Sequence, residues 1–444
     1  MSDPTPRPGA AAAPGSSATM PGVTYVNLGC RVNRVETDLI ADELARAGLE
    51  VLPEDEAQAV VINTCAVTAE AEAKARKAVR HAASLPQAPL VVATGCVANL
   101  FADELSALAP NVTVVRDKSR VSDAVLDGLG AGRLAVGDDG ELLASHGSAS
   151  STPTPTGRTR PGIKIQDGCD NRCTYCIVWK ARGAARSLEP GKVISAVNEA
   201  VARGAHEVVL TGINLGSYRM DGGVEGGLPE LLQTVLDQTA IERVRLSSIE
   251  PPDVTERLLG VMAASQGRVA PFLHVCLQSG CDATLRRMAR VYDTAFFRQA
   301  VELSRAYLPG IALGTDLIVG FPGETDADFQ ESLAFCRQMS FAKMHVFRYS
   351  KRPGTPAATA PGQVDPHVMA ERGRRMRDLA AQMRHDQAAL HVGELDKVLV
   401  EYPGRGVTSG LFDVVVAGNP ALGDLVSARI VSVAGDGTLS AVPA

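Results

Sequence analysis

Three cysteines stand close together near the middle of the chain, at Cys169, Cys173 and Cys176. Their C-x3-C-x2-C spacing follows a strand-like apolar run, and three thiolates this close can hold three corners of a cubane iron–sulfur cluster. Since no fourth cysteine lies nearby, the fourth iron is expected to be open to another ligand. A structural zinc site is the alternative, but zinc usually takes four ligands from C-x2-C pairs. The spacing therefore favours a cluster with one open iron.

Three further cysteines, Cys30, Cys65 and Cys96, each come just after a strand-like run. Strands and helices alternate from residue 23 to about residue 126, which predicts a parallel α/β sheet. Ligand sites in open α/β sheets form beyond the carboxyl ends of the strands, so these thiols are expected to converge. One buried free cysteine would mean little, because cysteine is a common core residue. Three equivalent positions favour a second metal site.

The predicted secondary structure divides the chain into parts. In the first part we expect strands at 23–28, 59–63, 90–94 and 112–115, and helices at 35–47, 69–83 and 100–108. Six strand-like runs follow, separated by helical runs, at 163–166, 207–211, 243–247, 272–276, 311–319 and 343–347. Six such units predict a partial (β/α)6 barrel, whose active site is built on the loops after the strands.

The end of the chain has a different pattern. Residues 366–390 predict a helix with five arginines, which is more typical of a solvated face than of an RNA contact. Beyond it, short runs with Gly and Pro turns predict a small antiparallel β-barrel. The expected organisation is a disordered tail at 1–20, an N-terminal domain at 21–135, a linker at 136–161, a core at 162–384 and a C-terminal domain at 385–444.

Composition limits the possible functions. The 444 residues are too many for one ordinary domain. Nine cysteines spread over a long chain indicate metal or redox chemistry in a reducing compartment. No membrane-spanning apolar run and no secretory signal are recognisable, so a cytoplasmic protein is expected. The net charge of −6 gives no support to nucleic-acid binding, although a local basic patch remains compatible with it.

The three parts in this order resemble the radical S-adenosylmethionine (SAM) tRNA methylthiotransferases, with a C-terminal barrel similar to the TRAM domain. Residues 27–33 (NLGCRVN), 166–169 (QDGC) and 276–282 (CLQSGCD) resemble the branch that acts on N6-threonylcarbamoyladenosine. The isopentenyl-adenosine branch tends to carry Gln-Met, and the ribosomal-protein branch Pro-Lys, where this chain has Arg31-Val32.

The resemblance implies two 4Fe–4S clusters and SAM as cofactors. It assigns Cys30, Cys65 and Cys96 to an auxiliary cluster that carries sulfur, and the other triad to the SAM cluster. It also implies that one SAM methylates that sulfur, while a second yields the radical that takes hydrogen from C2 of the adenosine 3′ to the anticodon. The implied partners are tRNA, SAM and an external reductant, with the chain acting as a monomer.

SAM contacts are expected from residues near the strand ends. The candidates are Thr211, Asn214, Ser248, Glu250, Gln278 and Asp316. Arg182 and Arg186 are expected either to face the SAM carboxylate or a phosphate, or to form an ordinary surface pair.

The sequence also departs from the family pattern. Trp179-Lys180 stands where the family usually has Pro and an aromatic residue, so the loop beside the cluster is expected to be shaped differently. Residues 385–444 contain three basic and seven acidic residues, which predicts weak phosphate binding by the last domain.

Two alternatives remain open at this stage. One is the same chemistry on isopentenyl-adenosine or on a ribosomal protein. The other is an iron–sulfur electron carrier with no substrate of its own. A barrel of six β/α units with polar strand ends is more than electron transfer needs, which argues against the carrier.

Overall fold

The computed structural model describes residues 21–131, 157–220 and 226–444. The predicted tail and most of the predicted linker lie outside the described residues. In the parts of the chain that are described, no helix combines the length and apolar character that crossing a membrane requires.

The first domain is a five-stranded parallel sheet in the order β2-β1-β3-β4-β5, flanked by helices. Its strands are β1 (Gly22–Asn27), β2 (Glu50–Val51), β3 (Ala59–Thr64), β4 (Leu90–Gly95) and β5 (Val112–Val114). Its helices are α1 (Arg31–Arg46), α2 (Ala69–Ala83), α3 (Cys96–Leu100), α4 (Ala102–Ser106) and α5 (Val121–Gly128). The single helix predicted at 100–108 is wrong, since Phe101 leaves the helical conformation (φ −137°, ψ 46°) and separates α3 from α4.

The central domain is an open barrel of six strands, as the sequence predicts. The strands of the central domain are β6 (Gly162–Lys164), β7 (Gln166–Asp167), β8 (Arg186–Ser187), β9 (Glu207–Thr211), β10 (Arg243–Leu246), β11 (Ser248–Ile249), β12 (Phe272–Val275), β13 (Ala312–Val319) and β14 (Lys343–Arg348). The short strands β7 and β8 form a separate antiparallel pair, and β10 with β11 counts as one strand of the wall, which leaves six. One sheet has the order β10-β9-β6 and the next β11-β12-β13-β14, all parallel; β10 and β11 are separated only by Ser247. β6 and β14 are therefore the free edges of the curved wall.

Helices cover the outer face of this wall. They are α7 (Pro190–Ala202), α8 (Leu228–Gln238), α9 (Glu256–Ala264), α10 (Asp282–Arg287), α11 (Thr294–Tyr307), α12 (Asp326–Met339) and α14 (Pro366–Ala389). Two short helices lie elsewhere: α6 (Val178–Arg182) packs against the first domain, and α13 (Pro356–Thr359) packs near Phe321 and Tyr349. Residues such as Val244, Leu273 and Leu317 pack outward against these helices in the largest hydrophobic core. Because side chains alternate along a strand, their neighbours face the interior of the barrel.

The last domain is a closed five-stranded barrel in the order β15-β16-β17-β19-β18. Its strands are β15 (Leu395–Tyr402), β16 (Arg405–Val407), β17 (Asp413–Val416), β18 (Leu425–Val433) and β19 (Leu439–Pro443). The expectation of a purely antiparallel barrel needs one correction, because β17 and β19 pair in parallel. Val398 and Phe412 share a core cluster with Phe272 and Ala312, so this barrel packs under the amino ends of the central strands.

The first domain bridges the two free edges of the open barrel. Helix α1 packs against β6, where a side chain at Gly162 would collide with Val35 at 2.2 Å. At the other edge, the backbone amide of Ala69 donates to Ser350 Oγ at 2.8 Å, in the loop after β14. The domain that carries Cys30, Cys65 and Cys96 therefore lies across the opening of the barrel.

Candidate active site between the first domain and the barrel

The three cysteines of the first domain lie at the carboxyl ends of adjacent strands. Cys30 caps the start of α1 after β1, Cys65 follows β3 directly, and Cys96 opens α3 after β4. Gly29 has φ +142°, and a Cβ there would lie 2.9 Å from Cys65 Sγ. A glycine is therefore required where the loop of Cys30 passes the thiol of Cys65.

Buried polar side chains fix these strand ends. Asn33 donates through Nδ2 to the carbonyl of Thr64 at 2.8 Å, and Asn63 donates to the carbonyl of Asn33 at 2.8 Å. Thr64 Oγ1 accepts from the backbone amides of Val97 and Ala98 at the start of α3. The loops that carry the three thiols are thus tied to one another by hydrogen bonds.

The second triad lies on the loop between β7 and α6. Cys169 N–H donates to the carbonyl of Gly183 at 3.1 Å, and Cys176 N–H donates to the carbonyl of Cys173 at 3.1 Å. Gly168 has φ +73°, and a Cβ there would lie 1.9 Å from the carbonyl oxygen of Ala184. The loop is consequently folded back on the segment after α6.

One guanidinium connects the two cysteine loops. Arg182, at the end of α6, donates from Nη1 to Glu36 on α1 and to Asp167, both at 2.9 Å. Its Nη2 donates to Asn33 Oδ1 at 2.6 Å. Asn33 Oδ1 also lies 3.6 Å from Cys30 Sγ, and Asp167 Oδ1 accepts from the amide before Cys169 at 2.8 Å.

Further charges complete this buried network. Glu36 also accepts from Lys164 at 2.9 Å and from Lys118. Burial alone would raise the pKa of Glu36, but Arg182, Lys118 and Lys164 hold it well below its ordinary value. Among the described residues, cations outnumber the two carboxylates, since Arg186 also contacts Asp167 at 3.1 Å. The surplus of positive charge favours thiolates at the neighbouring cysteines.

Burial controls the thiols in the free protein. It raises the pKa of Cys30, an effect that the Arg182 guanidinium opposes. It also raises the pKa of Cys65 to about 11 and that of Cys176 to about 12, with the neighbouring cysteines of each triad adding to the rise. A bound metal deprotonates such thiols outright, so each triad is a ligand set that becomes anionic when metal is present.

The barrel also contains a functional candidate that the sequence analysis missed. Arg290, whose side chain is buried, donates from Nη1 to Cys173 Sγ at 3.0 Å and from Nη2 to Glu250. Its Nε donates to Tyr292 Oη at 3.1 Å. Arg290 follows α10 and is far in sequence from Cys173 and Glu250. Its only signal in the sequence is that it is a cation in an otherwise apolar stretch after Met288. It links the cysteine loop to the end of β11.

The candidates for SAM contacts are distributed unevenly. Thr211 Oγ1 and Asn214 Oδ1 are buried and have no hydrogen-bond partner among the described residues. The amide of Asn214 is held by Gln166 Oε1 at 2.8 Å. Such unsatisfied groups beside a cysteine loop indicate a ligand. Ser248 lies on the short strand β11, with Glu250 directly after that strand.

The remaining candidates are placed differently. Gln278 has φ +66°. Its backbone amide donates to the carbonyl of Asp316, and its backbone carbonyl accepts from the amide of Ile318, both in β13. Asp316 lies within β13 rather than at its end, and faces His274 and His345. Asp316 thus lies inside the strand predicted at 311–319, and its assignment to SAM stays a prediction.

Two expectations about arginines are also corrected. Arg182 faces neither SAM nor a surface, because four buried oxygen atoms on three residues surround it. On α14, Arg372 is buried and contacts Glu324 at 2.9 Å, so the arginine run is not wholly a solvated face. Trp179 is covered by Arg172 and Lys180, whose charged groups lie 4.6 and 5.2 Å from its ring.

The residues present fit the cofactors that the spacing predicts. Each triad offers three free thiols beside cations, and the polar groups near the barrel triad include buried atoms without partners. Three cysteine ligands leave one iron of a 4Fe–4S cluster open, and the unsatisfied polar atoms of Thr211 and Asn214 are suited to a polar ligand such as SAM.

Comparisons with known proteins agree with this geometry. Residues 23–117 match the model of "Uncharacterized protein family UPF0004", and residues 163–336 match the radical SAM superfamily. A threonylcarbamoyladenosine tRNA methylthiotransferase (MtaB) of Thermotoga maritima is 35% identical over 95% of this chain and 97% of its own length. The chain belongs to the radical-SAM tRNA methylthiotransferase family. This family uses SAM and 4Fe–4S clusters.

Other relatives within the family differ in their named substrate. The MtaB protein of Bacillus subtilis is 35% identical over 86% of this chain and 85% of its own length. A tRNA-2-methylthio-N(6)-dimethylallyladenosine synthase of Parafrankia sp. is 37% identical over 85% of this chain and 77% of its own length. Identity alone therefore does not separate the two substrate branches.

Solved structures agree with the fold. The radical SAM methyltransferase TsrM of Kitasatospora setae, solved with cobalamin and a [4Fe-4S] cluster, gives a TM-score of 0.52 at 14% identity, covering 77% of each chain. The cobalamin-dependent radical SAM enzyme OxsB gives 0.51 at 12% identity, over 81% of this chain and 56% of that protein. At these identities the likeness supports the radical SAM architecture alone.

Proposed function

We propose that this methylthiotransferase acts on N6-threonylcarbamoyladenosine beside the anticodon of tRNA, adenosine-37, and adds the methylthio group at C2. The proposal rests on the position of Arg182. Its guanidinium donates to Asn33, which lies beside Cys30, and to Asp167, which lies beside Cys169. Installing sulfur at an unreactive C–H needs a radical source and a sulfur source at the same atom. A buried ionic network that holds both triads together serves that chemistry, and an electron carrier does not need such a network.

In this proposal the two triads are the cluster ligands. Cys169, Cys173 and Cys176 hold the SAM cluster, and Cys30, Cys65 and Cys96 hold the auxiliary cluster. When bound, these cofactors and SAM supply the radical, the sulfur and the methyl group. The protein holds the two ligand sets in fixed positions relative to each other and places buried cations beside them.

The side chains around the barrel triad are assigned to SAM. Thr211 and Asn214 offer the unsatisfied oxygen atoms, while Ser248, Glu250 and Gln278 come from the ends of the next strands. Arg290 neutralises Glu250 and donates to Cys173, so it orients the cysteine loop against the SAM site.

The substrate branch is favoured by the surroundings of Arg31. Arg31 is exposed at the start of α1, next to Cys30, and the charges of Arg160 and Arg158 act on its guanidinium. Arg31 thus adds a cation to an already positive region beside Cys30. An anionic substituent on the base suits this region better than an apolar isopentenyl group. In the anticodon loop, a single-stranded base can be splayed out to reach such a site.

The proposal includes the partners and setting of the reaction. The chain acts as a monomer on tRNA with SAM and an external reductant, and works in the cytoplasm, where tRNA is modified. The C-terminal barrel, acidic as it is, mainly closes the lower end of the central barrel and contributes little phosphate binding.

Incubation with bulk tRNA tests the proposal. The reconstituted protein, with SAM and dithionite, is given tRNA that lacks methylthio groups but contains both threonylcarbamoyl- and isopentenyl-adenosine. Nucleoside mass spectrometry is expected to show only the 2-methylthio derivative of threonylcarbamoyladenosine, with a Cys169→Ala variant as the inactive control. Methylthiolation of isopentenyl-adenosine alone would move the chain to the other branch.

A further inference from the structure

The interior of the central barrel is polar, unlike a packed barrel core. Val208, Leu210, Val244, Leu246, Leu273, Val275, Leu313 and Leu317 face outward into the helix layer. The alternating positions therefore face inward: Glu207, Arg243, Arg245, His274, Asp316, Lys343 and His345. Closed parallel barrels are filled by branched apolar side chains. Glu207, Arg243 and Arg245 are bonded to one another and to backbone carbonyls of the last domain. The polar side chains that face the remaining interior are His274, Asp316, Lys343 and His345.

Three of these residues form a cluster on adjacent strands. His345 Nδ1 lies 3.0 Å and His274 Nε2 3.1 Å from the same oxygen, Asp316 Oδ1. The two rings stack with centroids 5.4 Å apart. Gly314, the neighbour of His274 on β13, makes room for that ring, since a Cβ there would lie 2.9 Å from its Nδ1. Asp316 thereby orients the His345 ring, as a carboxylate orients a catalytic imidazole.

The cluster opens toward the interior space at His345. The side chain of His274 is 8% exposed, that of Asp316 25% and that of His345 48%. With Nδ1 turned to Asp316, the Nε2 atom of His345 is left facing outward from the cluster. Within the described part of the chain it has no hydrogen-bond partner. Phe347, next on the same face of β14, is also exposed and provides an apolar wall.

The surroundings of His345 are positive. Lys343 lies two residues earlier on the same face of β14. Burial lowers the pKa of Lys343, and the charges of Arg384, Arg31 and Arg160 lower it further, against the opposing effect of Asp413. Burial would raise the pKa of Asp316, but the neighbouring imidazoles of His274 and His345 leave it below the ordinary value. Arg384 and Arg160 are already paired with Asp413 and Glu401, so Lys343 is the cation that an anion entering beside His345 meets.

We propose that His345, oriented by Asp316 and assisted by Lys343, binds the carboxylate of the N6 substituent of the substrate base. The inference rests on the proposed function and deepens it, because it names the group by which the substrate is selected. In this complex His345 is the imidazolium, which donates Nδ1–H to Asp316 and Nε2–H to the substrate carboxylate. Such a charge-assisted hydrogen bond is stronger than one between neutral groups. An apolar substituent would leave Lys343 and the Nε2 atom of His345 desolvated without a partner, which is costly.

Binding of anticodon stem–loop RNA to the reconstituted, unreduced enzyme tests the proposal without turnover. Three RNAs differ only at adenosine-37: threonylcarbamoyladenosine, its carboxamide analogue, and unmodified adenosine. Fluorescence anisotropy is expected to show that wild-type protein binds the carboxylate RNA about tenfold more tightly than the carboxamide RNA. His345→Gln is expected to remove most of that preference. His367→Gln, at an exposed position on α14, is the matched control and should keep it.

Failure of the proposed role of His345 can be distinguished from failure of the proposed function. Suppose that the wild-type enzyme methylthiolates threonylcarbamoyladenosine and that His345→Gln keeps the preference for the carboxylate RNA. This result would overturn the role of His345 and leave the proposed function standing. Reductive SAM cleavage at the wild-type rate shows that the variant is folded, and Lys343→Gln provides a second variant with the same expected loss. A divalent transition metal bound stoichiometrically by wild-type protein in excess of cluster iron, and lost in His345→Gln, would also overturn it, because the cluster would then be a metal site.

Discussion

The triple variant Cys30→Ala, Cys65→Ala, Cys96→Ala is expected to form no methylthio nucleoside while still cleaving SAM reductively to 5′-deoxyadenosine. Alanine offers no donor atom in place of a thiolate, so the auxiliary ligand set is lost. The cysteine loop after β7 and the polar groups of the barrel are untouched by these changes. Both products are measured by mass spectrometry with dithionite as reductant and tRNA present.

The opposite triple variant is the matched control. Cys169→Ala, Cys173→Ala, Cys176→Ala is expected to make neither product. Wild-type protein should contain roughly eight irons per chain, and each triple variant about half of that. If the variant of the first triad still thiomethylates tRNA at a near wild-type yield, its three cysteines are ordinary core residues and the sulfur-delivery role is wrong.

Glu36→Gln is expected to lower both the free energy of unfolding and the ratio of methylthio product to 5′-deoxyadenosine. The change leaves Arg182, Lys118 and Lys164 buried with one carboxylate, Asp167, instead of two. Breaking a buried ionic network in this way costs about 3–5 kcal/mol. Because the same network positions the two cysteine loops, the ratio of methylthio product to 5′-deoxyadenosine should fall by about tenfold to a hundredfold.

The effect of Glu36 should depend on pH in a defined direction. Its pKa is held well below the ordinary value of 4.5, so its stabilising contribution is complete above that pH and is lost as the pH falls toward the lowered pKa. The difference in unfolding midpoint between wild type and Glu36→Gln should therefore shrink below pH 4.5. Glu371→Gln, in an exposed pair with Arg374 at 2.7 Å, is the control and should change neither stability nor product ratio. Unchanged coupling in Glu36→Gln would contradict the positioning role.

The sequence was sufficient for features that depend on local periodicity. Alternating apolar runs predict the strands, and parallel strands bring their carboxyl ends to one edge, so the placement of Cys30, Cys65 and Cys96 at adjacent strand ends follows. The six-stranded barrel is predicted for the same reason. The break at Phe101 and the parallel pairing of β17 with β19 are not predicted, because they depend on packing within each domain rather than on period.

Long-range ion pairs are the part that the sequence could not supply. Arg182 lies 146 positions after Glu36, and Arg290 lies 117 positions after Cys173. Nothing local distinguishes Arg182 from a surface residue, and it is accordingly expected at a ligand or a surface. Arg290 has only the weak signal of a cation in an apolar stretch, which does not name its partners. Lys164 within a strand was a usable signal, since a charge in a buried strand requires a partner. Similarly, Asp316 was recognised as a site residue, but its two histidine partners come from neighbouring strands.

Nucleoside mass spectrometry of tRNA from a strain in which the gene has been deleted identifies the substrate in the cell. The proposed function predicts that threonylcarbamoyladenosine persists while its 2-methylthio derivative disappears, and that the wild-type gene restores the derivative where the Cys30→Ala, Cys65→Ala, Cys96→Ala version does not. An unchanged level of that derivative, with loss of methylthiolated isopentenyl-adenosine instead, would contradict it.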